Sequence, residues 1–295
     1  MTRHKSSSLP LYWVDPVMRF GYAARGVVYI VVGGFALIAA KDHAPARDSQ
    51  SALGELLVEP YGEVLLGVIA LGLAGYAGWR VLSAVLDLEN KGTDLKGWGA
   101  RAAQLISAVL HLSLGASVAS LIWRAGSNHG GDKTESWTAA IMAEPFGRWL
   151  IAIAGIVAIA LGVQHFVKAH REEYLDHLRY TPLAARLGAV IKFGIVAHGI
   201  VVVIIGAFLI WAAWTSDATR AGGLGDALNV LRTIGIGQLG LAVVAAGLLG
   251  FSVYCFIEAI YRVVPRCAPE GLATLASRAR DLAEEAQRKI AGAVG

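Results

Sequence analysis

The sequence predicts an all-α integral membrane protein. Six transmembrane helices form three parallel two-helix repeats in a pseudo-threefold arrangement, and an amphipathic C-terminal helix follows. Three observations predict this fold class. The 295 residues are 56% apolar and only 16% charged, whereas soluble domains carry about 25% charge. Six apolar stretches reach the roughly 20 residues needed to cross about 30 Å of hydrocarbon. These stretches fall into three pairs that align without a gap inside any helix.

The spans are 20–40, 64–86, 102–123, 149–167, 193–216 and 233–257, with Arg25 inside the first and Arg80 inside the second. All eight prolines lie outside the central parts of the spans, so the helices should be continuous. The 35 glycines carry no triplet period and suit closely approaching membrane helices. Ala70, Ala74 and Gly78, and again Ala246 with Gly250, have the four-residue spacing that favours such contact. The first apolar stretch begins after Arg19 and has a full span's length, unlike a signal-peptide core.

Lysine and arginine set the orientation, because positively charged loops stay cytoplasmic. The N-terminal segment, the second and fourth loops and the C-terminal segment hold 18 of them, Arg80 included, against 7 in the other three loops. Both termini are therefore expected in the cytoplasm, and the expected location is the cell (inner, or plasma) membrane. The expected divisions are a cytoplasmic N-terminal segment at 1–17, repeats at 18–90, 97–180 and 183–265, and a cytoplasmic amphipathic tail at 266–295.

In the first helices, MRFGYAARGVVYIVVGGFAL from Met18 aligns with ARAAQLISAVLHLSLGASVA from Ala100 and IKFGIVAHGIVVVIIGAFLI from Ile191. This equates Arg19, Arg101 and Lys192. In the second helices, LLVEPYGEVLLG from Leu56 aligns with IMAEPFGRWLIA from Ile141 and more loosely with LRTIGIGQLGLA from Leu231, equating Gly62, Gly147 and Gly237. The segments from Ser51, Ser136 and Asp226 each begin with a residue able to cap a helix, so a short interfacial helix is expected before each return span. Phe166 to Tyr180 reads as the fourth helix running out into water. The tail beyond Pro269 places Leu272, Leu275, Leu282 and Ile290 on one face, with nearly balanced charges on the other.

The tripled signature GVVYIVVGG, EPYG with EPFG, and GLLGFSVYCFIEAIYR at Gly247 to Arg262 resembles the bacterial domain of unknown function numbered twelve-oh-six. That family carries a paired-helix membrane unit three times, and the resemblance covers about Asp15 to Arg262. It implies a topology and no activity. The second unit departs most. It has Ala102 and Ala103 where the others have Phe-Gly, and Val157 where they have Gly72 and Gly247.

Polar residues inside spans point to function, because charge within a bilayer is costly. Arg25, Ser107 and His198 occupy equivalent positions on the first helices. Arg80, His165 and Cys255 do so on the second, with Gln164 beside His165. All lie one or two turns in from the cytoplasmic charges. One reading joins them in a cytoplasm-facing polar chamber rimmed by Arg19, Arg101, Lys192, Glu258 and Arg262. The other has the arginines snorkelling to the interface and the histidines bonding to backbone carbonyls on neighbouring helices. His111, at mid-span, raises axial haem ligation, although His198 sits about 6 Å shallower by helix rise. A histidine bonded within the bundle is the reading adopted, and no cofactor is expected.

No span core holds Asp or Glu, and HExxH, GxSxG and P-loop patterns are absent, which removes carboxylate relays and common hydrolase or ATPase chemistry. The two cysteines make no framework, and no aromatic-interleaved basic block suggests nucleic acid. The expected function is a structural or lipid-binding module using the layer of Arg25, Arg80, Ser107, Gln164, His165, His198, Cys255 and Glu258. Its partners are the lipid bilayer and a bound phospholipid or another membrane protein. The alternative is a channel or carrier for a small solute or anion along the pseudo-threefold axis. An enzyme on a lipid-soluble substrate, pairing Ser107 with His198, comes third.

Overall fold

A computed structural model describes residues 13–123, 133–179, 181–233 and 237–264. The amphipathic tail at 266–295, Cys267 and most of the 1–17 segment lie outside the described residues. The elements are α1 (Val14–Lys41), α2 (Ser49–Gly54), α3 (Gly62–Leu86), α4 (Leu95–Trp123), α5 (Lys133–Met142), α6 (Gly147–His170), α7 (Pro182–Arg186), α8 (Gly188–Thr215), α9 (Leu224–Thr233) and α10 (Gln238–Tyr261). Of these, α1, α3, α4, α6, α8 and α10 are long and apolar enough to cross a membrane.

These six helices extend beyond the apolar stretches because helix formation continues through charged residues at the water boundary. Thus α1 begins before Arg19, whose Nε donates to Asp15 Oδ2 at 2.7 Å one turn back. The expected start of the last span at 233 is corrected to Gln238, because Thr233 ends α9 and Gly237 turns the chain at φ +54°. Their outer faces are as apolar as their inner ones. On α3, Leu73 is fully buried while Leu71 is 69% exposed, a pattern that demands a hydrocarbon surrounding.

Each return helix is preceded by the short helix foreseen, α2, α5 or α9, but the expected starting residues are corrected. The cap of α2 is Asp48, whose carboxylate accepts from the Ser51 amide at 2.7 Å. The EPYG and EPFG motifs make the turns into α3 and α6. Tyr61 and Phe146 adopt left-handed conformations, and the amides of Gly62 and Gly147 donate to the carbonyls of Glu59 and Glu144. A side chain at Gly62 or Gly147 would collide with the carbonyl of Leu56 or Ile141, so only glycine fits.

Each long helix touches specific neighbours. α1 lies between α3 and α10, α3 packs on α4, α10 on α8, and α8 on α6. Neighbours therefore run in the order α4, α3, α1, α10, α8, α6, and no substantial contact joins α4 to α6. Buried apolar residues such as Val28, Val32, Leu66, Leu73, Leu241 and Leu248 fill the interior between α1, α3, α8 and α10.

The expectation that α6 runs on to Tyr180 is overturned. The helix ends at His170, Glu172 turns in a left-handed conformation, and a 3₁₀ turn covers Glu173–His177. Tertiary burial explains the break. Tyr174 and Leu178 are buried, which a straight solvated helix would forbid. The backbone then pairs with the end of α10, where the Arg179 amide donates to Tyr261 and the Val263 amide to His177. This fold-back crosses the lysine- and arginine-rich end of the bundle, called the basic end below.

Candidate functional site

A cavity of about 440 Å³ opens within the basic half of the bundle and takes wall residues from all six long helices. At about 30 Å³ per molecule that is the space of roughly fifteen waters. Arg25, Arg80, Ser107, Gln164, His165 and His198 all line it, together with His111. The snorkelling alternative is thus corrected for Arg25. Arg25 is 8% exposed and faces inward, because neighbouring helices surround α1 on both sides.

Arg25 is held by aromatic rings. Its guanidinium lies 4.8 Å from the Phe251 centroid, 5.3 Å from that of Tyr76 and 5.6 Å from that of Tyr29, close enough for cation–π attraction. Its Nη1 donates to the Tyr76 hydroxyl at 3.1 Å, and Arg80 Nε donates to the same hydroxyl at 2.8 Å. Among the described residues no carboxylate lies within 4 Å of Arg25, and its Nε has no hydrogen-bond partner.

The histidines complete this layer. His198 stacks on Phe251 with centroids 4.2 Å apart, and its Nε2 is 2.7 Å from the Tyr29 hydroxyl. Its Nδ1 is buried without a partner. His165 lies 4.8 Å from His198, ring to ring. The Nδ1 atoms of His165 and His111 lie 2.7 and 2.8 Å from the carbonyls of Leu161 and Ser107 one turn back. A carbonyl accepts only, so each Nδ1 carries the proton and each Nε2 is left as an acceptor. The bonding of histidines to carbonyls of neighbouring helices is therefore corrected for these two, since each bonds the carbonyl one turn back on its own helix. The Ser107–His198 pairing is corrected, because the Ser107 hydroxyl lies near His111, at 3.5 Å.

Toward the basic end the wall becomes an ionic chain. Lys168 donates to the Tyr254 hydroxyl at 2.7 Å, Tyr254 donates to Glu258, and Glu258 pairs with Arg262. Arg262 also pairs with Glu89 at 2.6 Å, and Glu89 reaches Arg80 at 3.6 Å and Lys91 at 3.5 Å. Burial alone would raise the Glu89 carboxyl, but Arg262, Arg80 and Lys91 overcome it and hold it well below the usual carboxylate range. Burial, reinforced by the charge of Arg262, pushes His177 down to about 4. Five cations and two carboxylates line the cavity, with Glu258 just behind. The wall is net positive.

Two expected site residues lie elsewhere. Cys255 is fully buried among Ile195, Phe251 and Tyr254, which line the cavity while Cys255 itself does not. Glu258 acts through Tyr254 and Arg262. The expected rim of Arg19, Arg101 and Lys192 is also corrected, since these three equivalent residues tie down helix ends. Arg19 donates to the carbonyls of Ala259 and Ile260, Arg101 to those of Ala84 and Val85, and Lys192 pairs with Glu172 just past α6. Cations are favoured at helix C-termini. Sequence reasoning missed Lys168, Glu89 and the tyrosines. The repeat register held one signal, because Lys168 and Glu258 are equivalent and lie one turn beyond the His165 and Cys255 layer.

The fold and cavity define a class: a polytopic helical protein with a cationic, aromatic-walled chamber in one half of its membrane-crossing region. The chain belongs to the family Domain of Unknown Function (DUF1206), whose model matches residues 20–87, 102–172 and 193–262. It is 32% identical over 266 residues to the uncharacterized protein YxxB of Bacillus subtilis (strain 168), covering 89% of this chain and 95% of that one. No solved structure matches it.

Proposed function

We propose that this protein is an inner-membrane binding module whose cavity holds the anionic group of a ligand, its three repeats set around a pseudo-threefold axis with both termini cytoplasmic. Arg25 is the single observation that carries this reading. A buried guanidinium with no carboxylate beside it and an unpartnered Nε costs the fold several kcal/mol within a membrane. An anion in the cavity offsets that cost, and His198 Nδ1 and Lys168 Nζ supply further donors on the same wall. Phosphate and carboxylate both match the guanidinium fork.

Ile205, Leu224 and Leu248 line the cavity away from its basic end, and a conduit would have to pass these apolar side chains. Ser107 and His111 at the limit of hydrogen-bond distance lend no support to an enzyme. The test is extraction of the protein, purified in mild detergent, followed by mass spectrometry of its bound small molecules. The wild type should carry an anionic species that Arg25→Met loses and Arg25→Lys retains in part. A wild type carrying none, and identical to Arg25→Met, would sink the reading. Solute flux above that of empty vesicles would favour the conduit.

A further inference from the structure

We propose that the cavity is loaded sideways from the membrane through a seam between α4 and α6, and that its ligand is an anionic lipid whose chain stays in that seam. This rests on the binding reading above and adds a route and a source. In the first repeat, a side chain at Gly72 would fall on the Cβ of Ala24, and in the third, a side chain at Gly247 would fall on the Cβ of Ala197. The first and second helices of those two repeats thus cross in contact through an alanine and a glycine. The repeat register puts Ile106 and Val157 at the same positions in the second repeat. Gly21 and Gly194 likewise lie against the backbone of Tyr76 and Phe251, and their counterpart is Ala103.

Three bulkier residues therefore stand where close approach is required, and α4 and α6 make no substantial contact. The seam is wet by whatever surrounds the bundle. Leu110 lines the cavity and is nevertheless 61% exposed at the helix surface, so the cavity reaches the outside there. Beside Leu110 the wall carries the apolar Ile106, Leu114 and Leu161 together with Ser107 and His111, and Arg25 and Lys168 line the same cavity. Exposed apolar side chains, Leu110 and Ile106, at the opening of a cationic cavity match a molecule with a hydrocarbon chain and an anionic head. A water-soluble anion has no use for those side chains.

The test uses the full chain in phosphatidylcholine vesicles with a trace of phosphatidic acid bearing a nitroxide on its acyl chain. The wild-type electron spin resonance spectrum should contain an immobilised component that nitroxide phosphatidylcholine does not give. Leu110→Trp should abolish it, and so should Ala103→Gly, Ile106→Ala and Val157→Gly combined, which restore the trio of the other repeats. Leu105→Trp, on the exposed face of α4 and away from the cavity, should leave it unchanged and shows that a new tryptophan alone is harmless. An immobilised component that survives Leu110→Trp would overturn the seam while leaving binding intact. Its displacement by inorganic phosphate would identify a soluble anion and overturn the lipid source. A wild type with no such component would overturn both readings.

Discussion

Replacing Arg262 with methionine removes the cation that two buried carboxylates share. Its side chain and that of Glu89 are each 5% exposed and that of Glu258 is fully buried. Breaking a buried pair from one side costs about 3–5 kcal/mol, because the remaining charge is left uncompensated. Here Glu258 loses its ion-pair partner while Glu89 keeps Arg80 and Lys91, and the Leu178–Arg262 bridge that fastens the fold-back segment is at the same residue. At about 2–4 °C per kcal/mol the melting temperature should fall by roughly 6–20 °C. Intrinsic fluorescence during heating in detergent reads this, with Trp79, fully buried on α3, as a reporter. Adding Glu258→Gln to Arg262→Met should recover part of the loss, since it removes the carboxylate left without an ion-pair partner while Glu89 keeps Arg80 and Lys91. A fall under about 1 kcal/mol for Arg262→Met alone would show the chain to be solvated and refute the reasoning.

Acid should weaken the fold in two steps. His177 drops from its ordinary 6.5 to about 4 in the folded protein, so the unfolded chain binds its proton first. Its contribution is complete above about pH 6.5 and lost as the pH falls toward 4, bounded by on the order of 3 kcal/mol. Glu89, held low by its cations, contributes above its unfolded value near 4.5 and is lost below it. His177→Asn should flatten the first step in a melting-temperature profile against pH and leave the second. Gly72→Val carries into the first repeat the residue that the second repeat has, and should force α1 from α3 at about 1–3 kcal/mol. Thermal melting measures the cost, and a neutral result would remove the steric account of the α4–α6 gap.

The long helices were legible because their composition exceeds what water tolerates, and their register because no insertion interrupts a repeat. Depth was legible too, and the equivalence of Arg25 with His198 and of Arg80 with His165 placed four residues in one layer. Azimuth was not. Cys255 shares that depth yet is not part of the cavity wall, since α10 is buried on most of its circumference and periodicity cannot tell an interior packing face from a cavity face. The break after His170 was hidden for a different reason. Every residue of that stretch tolerates a helix, and only the distant end of α10 makes the fold-back favourable. Glu89 and Lys168 were read as loop and extension, although folding brings both onto the cavity wall. The departures of the second repeat, Ala103 and Val157, were visible as letters, and the neighbour order turns them into an opening.

The most direct measurement is an experimental structure of the protein taken from its native membrane into lipid nanodiscs without detergent. The account predicts non-protein density within about 3 Å of the Arg25 guanidinium, continuing as a chain between α4 and α6. Arg25 bonded only to water and Tyr76, in a cavity with no such density and with α4 and α6 closed together, would contradict it.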